Sequence, residues 1–134
     1  MDYFKKAQDI FSNTEYVKTL KLKLLEVTED TATCEFEVQK FHANYFYGLH
    51  GGVISGVADT IAFFPGKLLP SGIKLTTSNF EIKYFRPANI GDHIIATSEI
   101  IHFGKRKITV SVNVYFKKNK KLIALALVDL MVID

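Results

Sequence analysis

The chain has 134 residues, 48% of them hydrophobic, which suits one domain with its own core and needs no disulfide or metal to hold it. Seventeen Lys and Arg against 14 Asp and Glu leave a formal charge of +3, and all but two of the cations are lysines; nucleic-acid modules concentrate more charge and favour arginine, so no nucleic-acid partner is expected, while a small anionic ligand suits the balance. The single cysteine, Cys34, excludes an intrachain disulfide and a zinc cluster built from thiolates.

The N-terminus, MDYFKKAQDIF, lacks the apolar core and cleavage site of a signal peptide. No run of about 18 apolar residues without charge occurs, so a soluble, cytoplasmic protein with no membrane partner is expected. Phe4, Ala7, Ile10 and Phe11 recur at helical spacing behind Asp2 as a cap, which predicts a helix from Asp2 to about Phe11 and a further turn over Thr14–Thr19. Residues 1–19 form an N-terminal helical lead-in. A strand near Lys21–Val27 and a turn at Glu29-Asp30 follow. Over Thr33–Val38, Cys34, Phe36 and Val38 alternate with polar residues at period two, the pattern of a half-buried strand. Residues 41–48 are aromatic and irregular and read as a loop.

The period then changes. Val53, Ile54, Val57, Ala58, Ile61 and Phe64 recur at helical spacing, with Ser55, Asp59 and Ala62 on another face. Both faces are small or apolar, which predicts a helix buried nearly all round, ended by Pro65-Gly66. Four strands follow. The first, Leu75–Phe85, carries Phe80, Ile82 and Tyr84 on one face; then come Ile94–Phe103 and Ile108–Phe116; Leu122–Ile133 is apolar on both faces and predicted to be a central strand. No helix separates the last four strands, so an α/β alternation is excluded. The expected architecture is α+β, a single domain over 1–134 in which an antiparallel sheet curls around one long central helix.

Candidate chemistry gathers on that helix. His50-Gly51-Gly52 opens it, where backbone N–H groups lack partners and the helix dipole is positive. Such a position can hold a carbonyl oxygen as it becomes an oxyanion; a turn that needs only flexible glycines would look the same. Asp59, nine residues on, sits among Val57, Ala58, Thr60 and Ile61. A carboxylate in such surroundings suits a general base, or it escapes to solvent. Asn44 reads equally as a turn former. Thr77 offers a hydroxyl, but its parity is opposite to Phe80, Ile82 and Tyr84, so it points away from their face unless a bulge intervenes. His42, His93 and His102 have no metal-ligand spacing, and no metal site or cofactor is expected.

Taken together, Asn44-x3-Gly48-x-His50-Gly51-Gly52-x6-Asp59 and the later Tyr84-x-Arg86-Pro87-Ala88-x2-Gly91-Asp92 resemble the motifs of hotdog-fold acyl-CoA thioesterases of the phenylacetate-degradation (PaaI) type. The resemblance covers roughly residues 20–133. It implies that Asp59 activates water or attacks the thioester directly, that Thr77 stands where some relatives use serine to place the water, and that the Gly51 N–H polarises the carbonyl. His50 would support that turn, with Gly52 beside it, and Asn44 would orient the thioester or water. It also implies a homodimer or homotetramer with each site shared between two chains, Asn44 and the His-Gly-Gly turn from one and Asp59 from the other. Arg86, Lys105 and Arg106 sit at strand ends where coenzyme A phosphates lie in this fold; solvated turn charges would read the same.

The leading expectation is therefore hydrolysis of an acyl- or aryl-CoA thioester to free acid and coenzyme A. A non-catalytic acyl-CoA-binding module on the same fold is the alternative. A hotdog hydratase or dehydratase is disfavoured, because His50 is followed by Gly-Gly rather than set in a proline-rich or Asp-Pro-His motif. Phe46, Tyr47, Phe63 and Phe64 could line an acyl pocket or simply pack the core, and the acyl group stays open.

Overall fold

Period-two alternation turns six segments into strands of one sheet. They are β1 (Lys23–Val27), β2 (Thr31–Glu37), β3 (Lys74–Tyr84), β4 (His93–Phe103), β5 (Lys107–Phe116) and β6 (Leu122–Ile133). The computed structural model describes residues 2–70 and 73–133. The strand order is β1-β2-β4-β5-β6-β3, and every neighbouring pair is antiparallel. On one face, Cys34 and Phe36 of β2, Ile94 and Ala96 of β4, Val110, Val112 and Val114 of β5, and Ala124, Ala126, Val128 and Leu130 of β6 are all buried.

The central helix, α3 (Gly51–Ile61), lies on that face and buries Ile54, Val57, Ala58 and Ile61. The three branched side chains contribute about 1.5–3 kcal/mol each relative to exposure. This is the hotdog arrangement. Two expectations need correction. The helix is not buried all round: Gly52 is exposed, and Val53, Ser55, Gly56 and Asp59 are half-buried. Among the described residues no second sheet covers their side, and its small residues leave little apolar surface to hide. Nor is β6 central. The middle belongs to β4 and β5, while β6 lies beside the edge strand. Its second apolar row, including Leu127 and Met131, faces outward and stays exposed. The edge strand β3 is eleven residues long, a long row of unpaired backbone groups.

The lead-in forms α1 (Tyr3–Ser12) and α2 (Glu15–Leu20). Asp2 caps α1 by accepting the Lys5 N–H at 3.1 Å. Phe11 sits edge-on to Phe64, ring centroids 5.0 Å apart, so α1 is docked beyond the C-terminal end of α3. Val17 and Leu20 anchor α2 in the core. Cys34 is fully buried on β2; its desolvation, helped by the neighbouring Glu35 carboxylate, pushes the thiol pKa up to about 12. Among the described residues, no helix is long and apolar enough to cross a membrane.

The far end of α3 is pinned by a buried hydroxyl. Ser98 of β4 is fully buried, and its Oγ–H points to the Ile61 carbonyl at 2.8 Å and to the Ala32 carbonyl of β2 at 3.3 Å. The Ile61 carbonyl also accepts from the Phe64 N–H at 3.2 Å, so it keeps one partner when Ser98 is removed. Ser98→Ala should therefore lower stability by only about 1 kcal/mol, read as a shifted denaturant midpoint with unchanged slope. A loss several times larger would mean that Ser98 holds more than this one helix end.

Candidate active site

The N-terminus of α3 is built by its own cap. His50 is in extended conformation at the N-cap, and its Nδ1 accepts the Gly52 N–H at 2.8 Å. The imidazole lies so close that a Cβ on Gly52 would sit 2.9 Å from Nδ1, which accounts for glycine there. The Val53 and Ile54 N–H groups turn back to the His50 carbonyl. The Gly51 N–H donates to no group among the described residues and is left for an external acceptor. Tyr84, at the end of β3, donates its hydroxyl to the Gly51 carbonyl at 3.0 Å.

Two loops hold this turn in place. In the first, the Asn44 side-chain oxygen accepts the Phe46 N–H at 3.1 Å and the Gly48 N–H at 2.9 Å. Two converging donors fix which amide atom is oxygen. They also hold Tyr47 at φ +67°, a left-handed conformation costly for a tyrosine. Asn44 is thus a turn former, and only its Nδ2 is left for a ligand. The second loop carries the Arg-Pro-Ala…Gly-Asp signature. The buried Ala88 offers its carbonyl to the Leu49 N–H at 2.8 Å, and Gly48 bridges to Asn89. Gly91, at φ +97°, turns the loop, and Asp92 caps it by accepting the Asn89 N–H at 2.8 Å. That signature braces the turn ahead of α3.

At the other end of the helix, Thr77 donates its hydroxyl to Asp59 Oδ1 at 2.7 Å. This contact depends on a bulge. The β3–β6 register slips between Thr77 and Asn79, so that Thr77 faces Leu130 while Asn79 faces Asp129. The extra residue, Ser78, moves Thr77 onto the face of Phe80 and Ile82, against the simple alternation. Asp59 and Thr77 line a shallow, open cavity of about 280 Å³ shared with Gly52, Ser55, Phe80 and Tyr16.

The predicted residues thus form two groups. Asn44, His50, Gly51 and Gly52 lie at the start of α3, and Asp59 with Thr77 near its end. Eight residues separate Gly51 from Asp59, about 12 Å along the axis. One thioester needs its oxyanion donor and its attacking water within about 3–3.5 Å of the reacting atoms, so the two groups of one chain cannot serve the same thioester. The cations divide likewise. Arg86 donates from Nη1 to the Leu122 carbonyl at 2.7 Å, at the start of β6. The β4–β5 turn with Lys105 and Arg106 lies at its end, where the Arg106 carbonyl accepts from Val132. About 33 Å of strand separates them.

One positioning residue escaped the sequence reading. His42 is completely buried. Its Nδ1 accepts the Gln39 N–H at 2.9 Å, so the proton is on Nε2, which donates to the Leu20 carbonyl at 2.8 Å. Its own carbonyl accepts the His50 N–H at 2.9 Å. His42 thereby ties the end of α2 to the loop that sets the start of α3. Nothing local marks it, because its key partner lies 22 residues away.

A curled antiparallel sheet around a helix with this cap defines a hotdog protein. Residues 48–123 match the thioesterase superfamily, and the chain belongs to it: it is a thioester hydrolase by family. It is 31% identical over 104 residues to acyl-coenzyme A thioesterase 13 of Mus musculus, covering 78% of this chain and 74% of that protein. Its fold is similar to that of the E. coli PaaI protein from the phenylacetic acid degradation operon, with TM-score 0.88, 23% identity, and 98% and 94% of the two chains covered. It is also similar to smu.793 from Streptococcus mutans UA159 bound to acetyl CoA, with TM-score 0.76, 22% identity, and 84% and 88% covered.

Burial holds the His42 pKa below the ordinary histidine value; the hydrogen bond to Leu20 opposes this and Lys21 adds a smaller downward push. Below about pH 6.5 the unfolded chain therefore binds a proton that the native imidazole refuses, and stability falls as pH drops. His42→Gln should flatten that part of the Tm–pH curve between about pH 7 and 5. Identical slopes in the two proteins would remove His42 as the responsible group.

Proposed function

We propose that this chain hydrolyses an acyl- or aryl-coenzyme A thioester to the free acid and coenzyme A, with Asp59 as the general base. The observation that carries this reading is the Asp59–Thr77 pair: a carboxylate held by a 2.7 Å hydroxyl donor in a cavity on the open side of α3. Thr77 gives its only proton to Asp59, so its lone pairs can accept one from water. A water between Thr77 and the second Asp59 oxygen is aligned to lose a proton to the carboxylate. Its oxygen forms the new C–O bond, and charge builds on the carbonyl oxygen. A free N–H at a helix start stabilises that charge. The C–S bond then breaks, and the proton on Asp59 passes to the departing sulfur. The ligand in the Streptococcus mutans structure is itself a coenzyme A thioester, which agrees with this substrate class.

The oxyanion donor comes, in this reading, from a second copy of the chain. A twofold axis passing beside the open side of α3, level with Ser55 and perpendicular to the helix, sets the Gly51 of each copy opposite the Asp59 of the other and closes the 12 Å gap. The free β3 edge offers the pairing surface. The same operation brings Arg86 of one copy to the end of the sheet that carries Lys105 and Arg106 of the other, so cations far apart in one chain converge on one set of phosphates. His50, Gly52 and Asn44 keep the donor turn in shape, and the Asn44 Nδ2 is free to orient the thioester.

Asp59→Asn keeps the size and removes the base. It should lower kcat by on the order of 100-fold or more, followed as thiol release from a panel of acyl- and aryl-CoA thioesters, while substrate still binds. Wild-type turnover by this variant would end the catalytic assignment.

The shared site has its own test. Asn44→Ala and Asp59→Asn proteins, each nearly inactive, are co-refolded in equal amounts. About half the dimers are mixed and each holds one intact site, so activity should return to roughly a quarter of wild type. No recovery, with mixed dimers confirmed by mass spectrometry, would place both residues in one chain's site.

A further inference from the structure

The cavity that holds Asp59 and Thr77 has one wall from outside the matched family region. Tyr16, on α2, reaches over Gly56 on the open side of α3 and lines that cavity together with Phe80. Its ring rests on Gly56, one helical turn before Asp59, and a Cβ on Gly56 would collide with the Tyr16 hydroxyl. Any side chain there would push the end of the Tyr16 ring aside, so glycine leaves room for the ring where it lies. Tyr16 is 47% exposed, and its hydroxyl bonds to no group among the described residues. Its backbone, by contrast, is fixed: Val17 and Leu20 are buried beside it, and His42 holds the Leu20 carbonyl.

We propose that Tyr16 is a specificity-determining residue, the wall that limits the size of the acyl group beside Asp59. This rests on the hydrolase reading above. A tyrosine on a pinned backbone, with no internal partner, stacked on a glycine and facing the water-activating pair, bounds the space open to whatever is attached to the thioester carbonyl. The N-terminal helices therefore do more than cover the core. They set which acyl groups reach the carboxylate.

The test compares wild type, Tyr16→Ala and Tyr16→Phe on acyl-CoA substrates from acetyl to palmitoyl. Each protein is also titrated with S-alkyl coenzyme A thioethers of matching length, which lack the carbonyl and cannot be hydrolysed. Tyr16→Ala should raise the kcat/KM ratio of long over short chains by about ten-fold or more, with the same shift in thioether Kd. Tyr16→Phe keeps the ring and should keep the wild-type profile. Thermal melts confirm that the variants are folded. A Tyr16→Ala profile parallel to wild type across the series would overturn the proposal, as would thioethers whose binding ignores the substitution. If no protein hydrolyses any thioester but thioether binding shifts with length, the hydrolase reading fails and the wall stands.

Discussion

Everything in this molecule hangs on one buried stripe. Ile54, Val57, Ala58 and Ile61 repeat every three or four residues, so α3 has a single apolar side and must lay it against something. The concave face of the six-stranded sheet receives it. Once that side is fixed, Gly52, Ser55, Gly56 and Asp59 have no choice but to face away from the core. The chemistry of the helix is thus placed by the burial of residues that take no part in it. Asp59 is oriented by the packing of Val57 and Ile61 before any hydrogen bond is made.

Around that axis, most polar features of the site brace rather than react. His50 closes over Gly52, Asn44 folds its own loop, and Ala88 and Asp92 hold a second loop against the first. These contacts keep one donor, the Gly51 N–H, unpaired in a fixed place. In the proposed reaction that donor need not reorient as charge develops. His42 supports the same turn from behind, through the backbone of His50 and the end of α2.

Much of this was legible in the residues. Period-two alternation from Thr33 onward placed the strands within about two residues, helical spacing from Val53 to Phe64 placed α3 within about three, and the His-Gly-Gly turn marked where that helix starts. What stayed hidden was set by distant partners. Thr77 read as facing away from its neighbours, because the bulge at Ser78 carries no glycine or proline to announce it. His42 read as one of several scattered histidines, since only tertiary structure brings Leu20 to it. Tyr16 lay in a lead-in with no apparent role. The helix reads as buried nearly all round because small residues look alike whether they pack against a core or stand at an open face.

Cys34 has a consequence outside the site. Hydrolysis of a coenzyme A thioester liberates a thiol, and the oxidised form of that thiol exchanges with any accessible protein thiolate. The one cysteine of this chain faces the core from β2, without solvent contact and with its pKa pushed up to about 12. It supplies essentially no thiolate at neutral pH and no surface at which a mixed disulfide could form. With the activity proposed above, the protein is thereby inert toward the redox chemistry of the released thiol, and oxidative conditions that trap other thiols should leave it without an adduct.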